Sequence, residues 1–412
     1  MSKLNKVIED EFKKIPEIFL KKLIEEKLDA QGIHDPNLTE AISVQILSGK
    51  DVDIDWDSNG SVNIENLELE ITAEDTEKLS SDIKAYIKNE VPKIVRSTTE
   101  EGAKILFKSL ENIWSDIKEN EKSETQQFQE RLELRWGKAL DPLRMLLTTA
   151  REVGQEYTDK INKQRANTPL SKQKATIALH MRACQTTTEI LTLLENGLAD
   201  GAYARWRTLY ELTVVALFID KFGNNTAERY LEHGIVSHHE FIINELRFNG
   251  ITYDPTKPQR EFREIERQFR KAIATYGKPF ETPYGWAAEA LELRKPNFQD
   301  LERAIDWEKL PPDYKLSSYK VHAGTAGTMW TLGSQVFLHA GASNAGLEIP
   351  ATRAAHSLAL ITSLLFENLT DLEEQIALRS LLMMRDKVNI ECNKAARRLE
   401  RDKAKFYRLP HR

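Results

Sequence analysis

Phe128, Leu132, Trp136, Leu140, Leu143 and Leu147 follow one another at intervals of four, four, four, three and four residues. That spacing returns a side chain to one face of an α-helix, whereas same-face residues in a strand recur at every second position. The stripe runs through a long, highly charged segment, 125–165, and Pro142 is expected to kink it. A stripe of this length needs an apolar partner, either inside the chain or on a second chain. Composition extends the argument to the whole molecule. The 412 residues include only 18 Gly and 14 Pro, too few for an all-β, collagenous or largely disordered chain. With 41% apolar and 30% charged residues there is enough for a core and a soluble surface.

Net charge is −6, which excludes a protein whose whole surface coats nucleic acid and leaves room for a local basic patch. Two cysteines, Cys184 and Cys392, make neither a disulfide framework nor a four-cysteine zinc site. The longest apolar runs, 212–219 and 358–366, are too short to span a bilayer, and the N-terminus has no apolar signal core. The expectation is a cytoplasmic protein with no membrane contact, no metal and no cofactor.

The first thirty residues read as an amphipathic helix. Val52, Ile54 and Trp56 then alternate with Asp51, Asp53, Asp55 and Asp57. Asn59-Gly60 follows, and then Val62 and Ile64. Period two on both sides of a turn pair predicts a small β-hairpin at about 51–65. Residues 50–90 carry 12 acidic and 4 basic side chains, a local balance of −8. Helices are expected over 72–89, with Thr72 and Asp75 as a capping box, and over 91–119. The Asn167-Thr168-Pro169 cluster marks a boundary. Beyond it, 171–196 and 200–221 read as an antiparallel pair joined by Gly197–Gly201, followed by helices at 226–248, 260–276, 351–368 and 370–406. The predicted fold is mainly α: a multi-helix bundle with long antiparallel helices and the N-terminal hairpin. Its organisation is an accessory region over 1–168, a helical domain over 169–378 and a basic C-terminal helix over 379–412.

No phosphate-binding loop, dinucleotide fingerprint, zinc-protease motif, nucleophile elbow, EF-hand loop or CxxC is present. Candidate residues come from three regions. In 201–219, Arg207 and Glu211 lie four apart on one helical face, with Tyr203 and Tyr210 two turns apart; the preceding helix adds Arg182. These offer either a buried ion-pair network or a polar cavity for an anionic, nucleotide-like ligand. In 314–324, Lys315, Ser318, Tyr319 and His322 fall at helical spacings, and His322 is suited to proton transfer near pH 7. Arg397, Arg398, Arg401 and Lys405 crowd the C-terminal helix, where residues 379–412 carry 11 basic and 4 acidic side chains. They form a candidate nucleic-acid contact.

The stretch Glu195-Asn-Gly-Leu-Ala-Asp-Gly-Ala-Tyr-Ala-Arg-Trp-Arg-Thr-Leu-Tyr-Glu211, together with Leu316-Ser-Ser-Tyr-Lys-Val-His322 and the Gly346-Leu-Glu segment, resembles a bacterial family of unknown function, DUF5677, over roughly 170–370. The resemblance implies a helical fold and no established activity. The His322 helix also resembles HEPN proteins, helical bundles that include metal-independent ribonucleases of defence systems. Their signature is an arginine, four to six residues and a histidine. Here Lys315 stands where that arginine would be, and a lysine lacks the guanidinium fork. The HEPN resemblance implies an endoribonuclease or RNA-directed effector in antiphage defence. His322 would transfer the proton, Arg207 and Arg182 would hold phosphate, and Glu211 and Tyr319 would orient the site. The alternative is a non-catalytic helical scaffold or ligand-sensing partner protein. Expected partners are RNA, and a second copy or another protein bound through the 125–165 helix or the acidic 50–90 region.

Overall fold

A computed structural model describes residues 9–49, 69–163, 170–254, 260–306, 313–333, 340–367 and 370–406. These form two compact units, residues 1–121 and 122–412.

The first unit holds α1 (Ile15–Asp29), α2 (Pro36–Ser48) and α3 (Ala73–Asn89). Leu20, Ile24 and Leu28 of α1 pack with Ile33 and with Leu38 of α2 in a small core. Local chemistry sets the helix starts. Asp35 accepts the amide protons of Asn37 (2.9 Å) and Leu38 (3.3 Å) at the head of α2. The Thr72–Asp75 capping box forms as expected, with the Thr72 amide 2.8 Å from the Asp75 carboxylate and the Asp75 amide 3.2 Å from the Thr72 hydroxyl.

The long helix α4 (Val91–Lys163) carries the apolar stripe and continues through Pro142. In the second unit Leu132, Trp136, Leu140, Leu143 and Leu147 are all buried in the main core. Next come α5 (Ser171–Glu195) and α6 (Ala199–Phe222), which pack closely on each other as an antiparallel pair. Gly197 makes the turn between them with φ +70°. A side chain there would lie 2.6 Å from the Ser343 carbonyl, so both backbone and space demand glycine.

The expected helix over 226–248 is two helices, α7 (Asn224–Glu232) and α8 (Gly234–Phe248). The break falls at His233, whose buried ring sits with Nε2 3.0 and 2.9 Å from the carbonyl oxygens of Phe280 and Thr282. Then follow α9 (Arg263–Tyr276), α10 (Phe298–Ala304), α11 (Asp313–Ser318) and α12 (Thr325–Met329). The chain ends in α13 (Glu348–Ser363) and α14 (Leu372–Phe406). The core is built where α13 packs on α5 and α6, with α14 against α13. The basic C-terminal stretch is therefore the far part of a helix whose inner face, Leu381, Val388, Cys392, Ala395 and Leu399, is buried. Helix α14 runs antiparallel to α4: Thr149 meets Met384, Ala139 meets Cys392 and Arg135 meets Asp402.

The fold class needs correcting to all-α. Among the described residues every regular element is helical and none is a strand. The β-hairpin expected at about 51–65 lies outside the described residues. The expectation rested on local alternation alone, and a two-stranded ribbon is marginal without further strands or a helix to pack on. Among the described residues no helix is long and apolar enough to cross a membrane.

Candidate functional site

Helix α6 sets the site by its periodicity. Tyr203, Trp206 and Tyr210 recur at three and four residues and share its inner face. Tyr203 stacks on Trp206 with centroids 5.4 Å apart and planes 6° apart, and Trp206 meets Tyr210 at 5.3 Å. Tyr210 and Phe298 both pack against Tyr314 of α11, at 5.2 and 5.1 Å. Two of these rings have their polar ends engaged. The Trp206 indole donates to the Ser357 hydroxyl of α13 (3.1 Å), and the Tyr210 hydroxyl donates to Glu302 (2.6 Å). Burial lifts the Glu302 carboxyl above its ordinary range, only partly offset by that phenol.

One turn along α6, Arg207 and Glu211 meet Tyr314. The Tyr314 hydroxyl donates to Glu211 at 2.6 Å and accepts from Arg207 Nε and Nη2 at 3.2 and 3.0 Å; Arg207 also reaches Glu211 directly at 3.0 Å. The guanidinium lies 4.9 Å from the centre of the Tyr314 ring. Burial, and then the Glu211 carboxylate, push the Tyr314 phenol well above its usual range, so it stays a neutral donor.

On the other side of Tyr314 a cleft of about 610 Å³ opens between α6, α11, α13 and α14. Its aromatic lining is Trp206, Tyr210 and Tyr314. Its remaining lining includes Ile349, Arg353 and His356 of α13, which share one helical face, and Arg385, Asn389 and Asn393 of α14. Glu348 and Asp386 also reach it, so the lining has no formal net charge. Its selectivity is therefore directional. Arg385 binds its neighbour Asp386 at 2.7 and 2.9 Å, and that carboxylate is largely in solvent while Arg385 is not. Burial, and next the two guanidiniums, hold His356 below the usual imidazole range, which makes it a neutral hydrogen-bonding group at pH 7. Planar aromatic surface beside forked and amide donors suits a flat ligand with an anionic group.

The expected site residues distribute unevenly around this cleft. Arg207 and Glu211 come together, and Tyr314 joins them. Tyr203 is buried one ring behind the aromatic wall. Arg182 lies exposed on α5, where it binds Gln185 (2.7 Å) and approaches Glu189 (3.7 Å). Glu189 in turn pairs with Arg205, on the opposite side of α6 from Arg207. The Ser318 hydroxyl caps its own helix, donating to the Tyr314 carbonyl at 3.0 Å. Lys315 is exposed, Tyr319 is half-buried and His322 lies exposed in the turn after α11. The histidine among the described lining residues is His356, not His322. Sequence reasoning read His356 as a structural residue of an apolar helix, and passed over Arg353 and Arg385, which lie far along the chain from Arg207. The only signal was a polar residue every third or fourth position on α13 and α14. At the other end of α6, Asp200 accepts the Leu332 amide at 3.1 Å and pairs with Lys320 at 3.0 Å, tying residues 313–333 to the same helix. Among the described residues no cluster of His, Cys, Asp and Glu has the makings of a metal site.

An all-helical unit with a cleft between packed helices is what fold and geometry define. Residues 173–334 match a family of unknown function, DUF5677, and the chain contains that domain. No curated protein and no solved structure matches it. The matched span supplies the aromatic wall, while Arg353, His356 and Arg385 lie beyond it. The resemblance to HEPN proteins needs correcting. The comparisons show DUF5677 in this region and nothing toward HEPN, and Lys315 and His322 are exposed rather than gathered into the cleft. Neither the fold nor the comparisons support the HEPN-like, RNA-binding, ribonuclease and antiphage descriptions.

Proposed function

We propose that this protein is a ligand-sensing helical module whose cleft takes a nucleotide-like molecule: a planar ring carrying an anionic group. The observation that carries the reading is the convergence of one aromatic wall and two arginines on a single cleft of about 610 Å³, within the size range of small-molecule sites. The ring lies along Tyr210, Tyr314 and Ile349. Arg353 and Arg385 take the anionic group, and Asn389 and Asn393 meet the polar ring edge. Sensing follows from Tyr314, which lines the cleft and is also bound to Arg207 and Glu211. A ligand that moves its ring alters that network, and the population of the two arrangements follows the ligand's differential affinity.

The test is calorimetric titration of the full chain with the four common ribonucleoside monophosphates, the matching free nucleosides and inorganic phosphate. At least one monophosphate binds more tightly than either of its halves. Arg385→Gln weakens that binding roughly tenfold, the cost of one charge-assisted hydrogen bond, while melting stays within a few degrees of the parent. Absence of binding by every monophosphate, or equal binding by Arg385→Gln, overturns the reading.

A further inference from the structure

A second surface lies on the side of the unit where α4 and α14 run antiparallel. Two hollows, of about 630 and 730 Å³, follow one another along the seam between these helices and share Arg398. The first is basic. Arg131 and Arg135 of α4 face Arg398, Arg401 and Lys405 of α14. The second is more apolar: Pro142, Met145, Met383 and Met384 line it, together with Lys138, Asp141, Lys387 and Glu391.

Both helices contribute by their periodicity. Residues 131, 134, 138, 142 and 145 recur every three or four positions along α4, as do 380, 383, 387 and 391, and then 398, 401 and 405, along α14. The result is one continuous groove with a cationic end and a thioether end. Its large apolar side chains stand in solvent: Leu134 is 89% exposed, Met383 62% and Met145 55%. Isolated exposed leucines are ordinary, but several aligned along a groove mark an interaction surface.

The acids along the seam are already neutralised. Asp402 pairs with Arg135 at 2.8 Å, Asp141 with Arg144 at 2.8 Å, and Glu391 with Lys394 and Lys387 at 2.9 and 3.2 Å. Among the described residues Arg131, Arg398, Arg401 and Lys405 make no ion pair. The excess positive charge is therefore concentrated in the first hollow, whose lining is formally +4 against +1 for the second.

We infer that this groove docks an amphipathic α-helix of a partner protein, acidic toward one end and apolar toward the other. Charge complementarity selects the acidic end, and the methionines, whose unbranched side chains adapt to varied shapes, receive the apolar face. The stretch of α4 from 131 to 145 rises about 21 Å, the length of roughly four helical turns. The occupant thus becomes a third helix laid along the α4–α14 pair. A phosphate backbone would use the cationic end and gain nothing from the methionines, so a peptide fits the whole groove and a nucleic acid only half.

Panning a yeast-displayed library of helical peptides against the full-length chain tests this. Arg131→Glu/Arg398→Glu and Met145→Lys/Met383→Lys serve as counter-targets. All four side chains are exposed, and unchanged circular dichroism confirms that each variant folds. Enriched peptides should carry apolar residues at i, i+3, i+4 and i+7 with acidic residues gathered at one end. Each pair of substitutions should weaken binding at least tenfold, and raising salt should weaken binding to the parent chain. Failure to enrich, enrichment of peptides without that acidic bias, or equal binding to both variants overturns the proposal. So does a labelled oligouridine that binds the seam more tightly than any selected peptide, or self-association of the chain abolished by the same substitutions.

Discussion

Acidification from pH 6.5 to pH 4 should destabilise the second unit through one side chain, His180. The ring is 3% exposed, with Nε2 3.1 Å from the Thr362 hydroxyl of α13 and 3.8 Å from the Cys184 sulfur. Gly154 of α4 closes the other side: a methyl group there would sit 2.8 Å from the ring. Burial pulls the imidazole pKa from 6.5 down to about 4. In the folded chain His180 thus stays neutral over most of the interval and is half protonated only near pH 4, whereas in the unfolded chain it takes up a proton below 6.5. The unfolded state binds more protons, so stability rises with pH across this window. The contribution is complete above pH 6.5 and is lost as pH falls toward 4. At about 1.4 kcal/mol per pKa unit the loss is on the order of 3 kcal/mol. His233 and His356 are shifted in the same direction, burial being the first cause in each, and add to the total slope. The assay therefore compares parent and His180→Gln by urea unfolding at pH 7, 6, 5 and 4, followed by tryptophan fluorescence. The stability advantage of the parent should shrink steadily with acid, by about 3 kcal/mol overall. An advantage that stays constant from pH 7 to 4 refutes the reasoning, because the ring would then not be carrying the proton linkage.

Two further outcomes are expected. Tyr314→Phe removes a hydroxyl bonded to Arg207 and Glu211 and should cost about 1–2 kcal/mol, the low end for charged partners because the site is half-exposed. A cycle with Glu211→Gln should show at least about 0.5 kcal/mol of coupling, and strict additivity would mean no shared network. Cys184 and Cys392 are buried, and burial lifts their thiols to about 11 and about 12. A thiol reagent at pH 8 should label neither in the folded chain and both in denaturant; rapid native labelling of either would contradict the packing.

Much of the helical layout was legible because it rests on local rules. The α4 stripe, the Thr72–Asp75 box and the Gly197 turn each declare themselves within a few residues. The break at His233 did not, because its cause is tertiary: two carbonyls from residues 280 and 282 meet the ring. The alternation over 51–65 illustrates the limit of local pattern, since a strand needs a neighbour that pattern alone cannot supply. The candidate site was half legible. Arg207 and Glu211 share a helix turn and their pairing follows from spacing. Tyr314, Arg353, His356 and Arg385 reach the same place only through the packing of α11, α13 and α14 on α6, and the prominence of His322 in the sequence drew attention to an exposed turn.

Residues 313–333 hold to the unit in an unusual way. Helix α12 has no buried residue, and Ser317 is the buried position in α11. One end is secured by Tyr314, through its ring packing and its bonds to Arg207 and Glu211, and the other by the Asp200 contacts with Lys320 and Leu332, the packing of Leu332 on the core and the Ser343 hydroxyl's bond to the Gly333 carbonyl. Polar tethers of this kind contribute about 1 kcal/mol each, far less than a buried apolar helix face. The stretch is therefore expected toward the low end of the molecule's opening energies. Because Tyr314 both tethers it and lines the cleft, a molecule filling the cleft would hold the stretch in place.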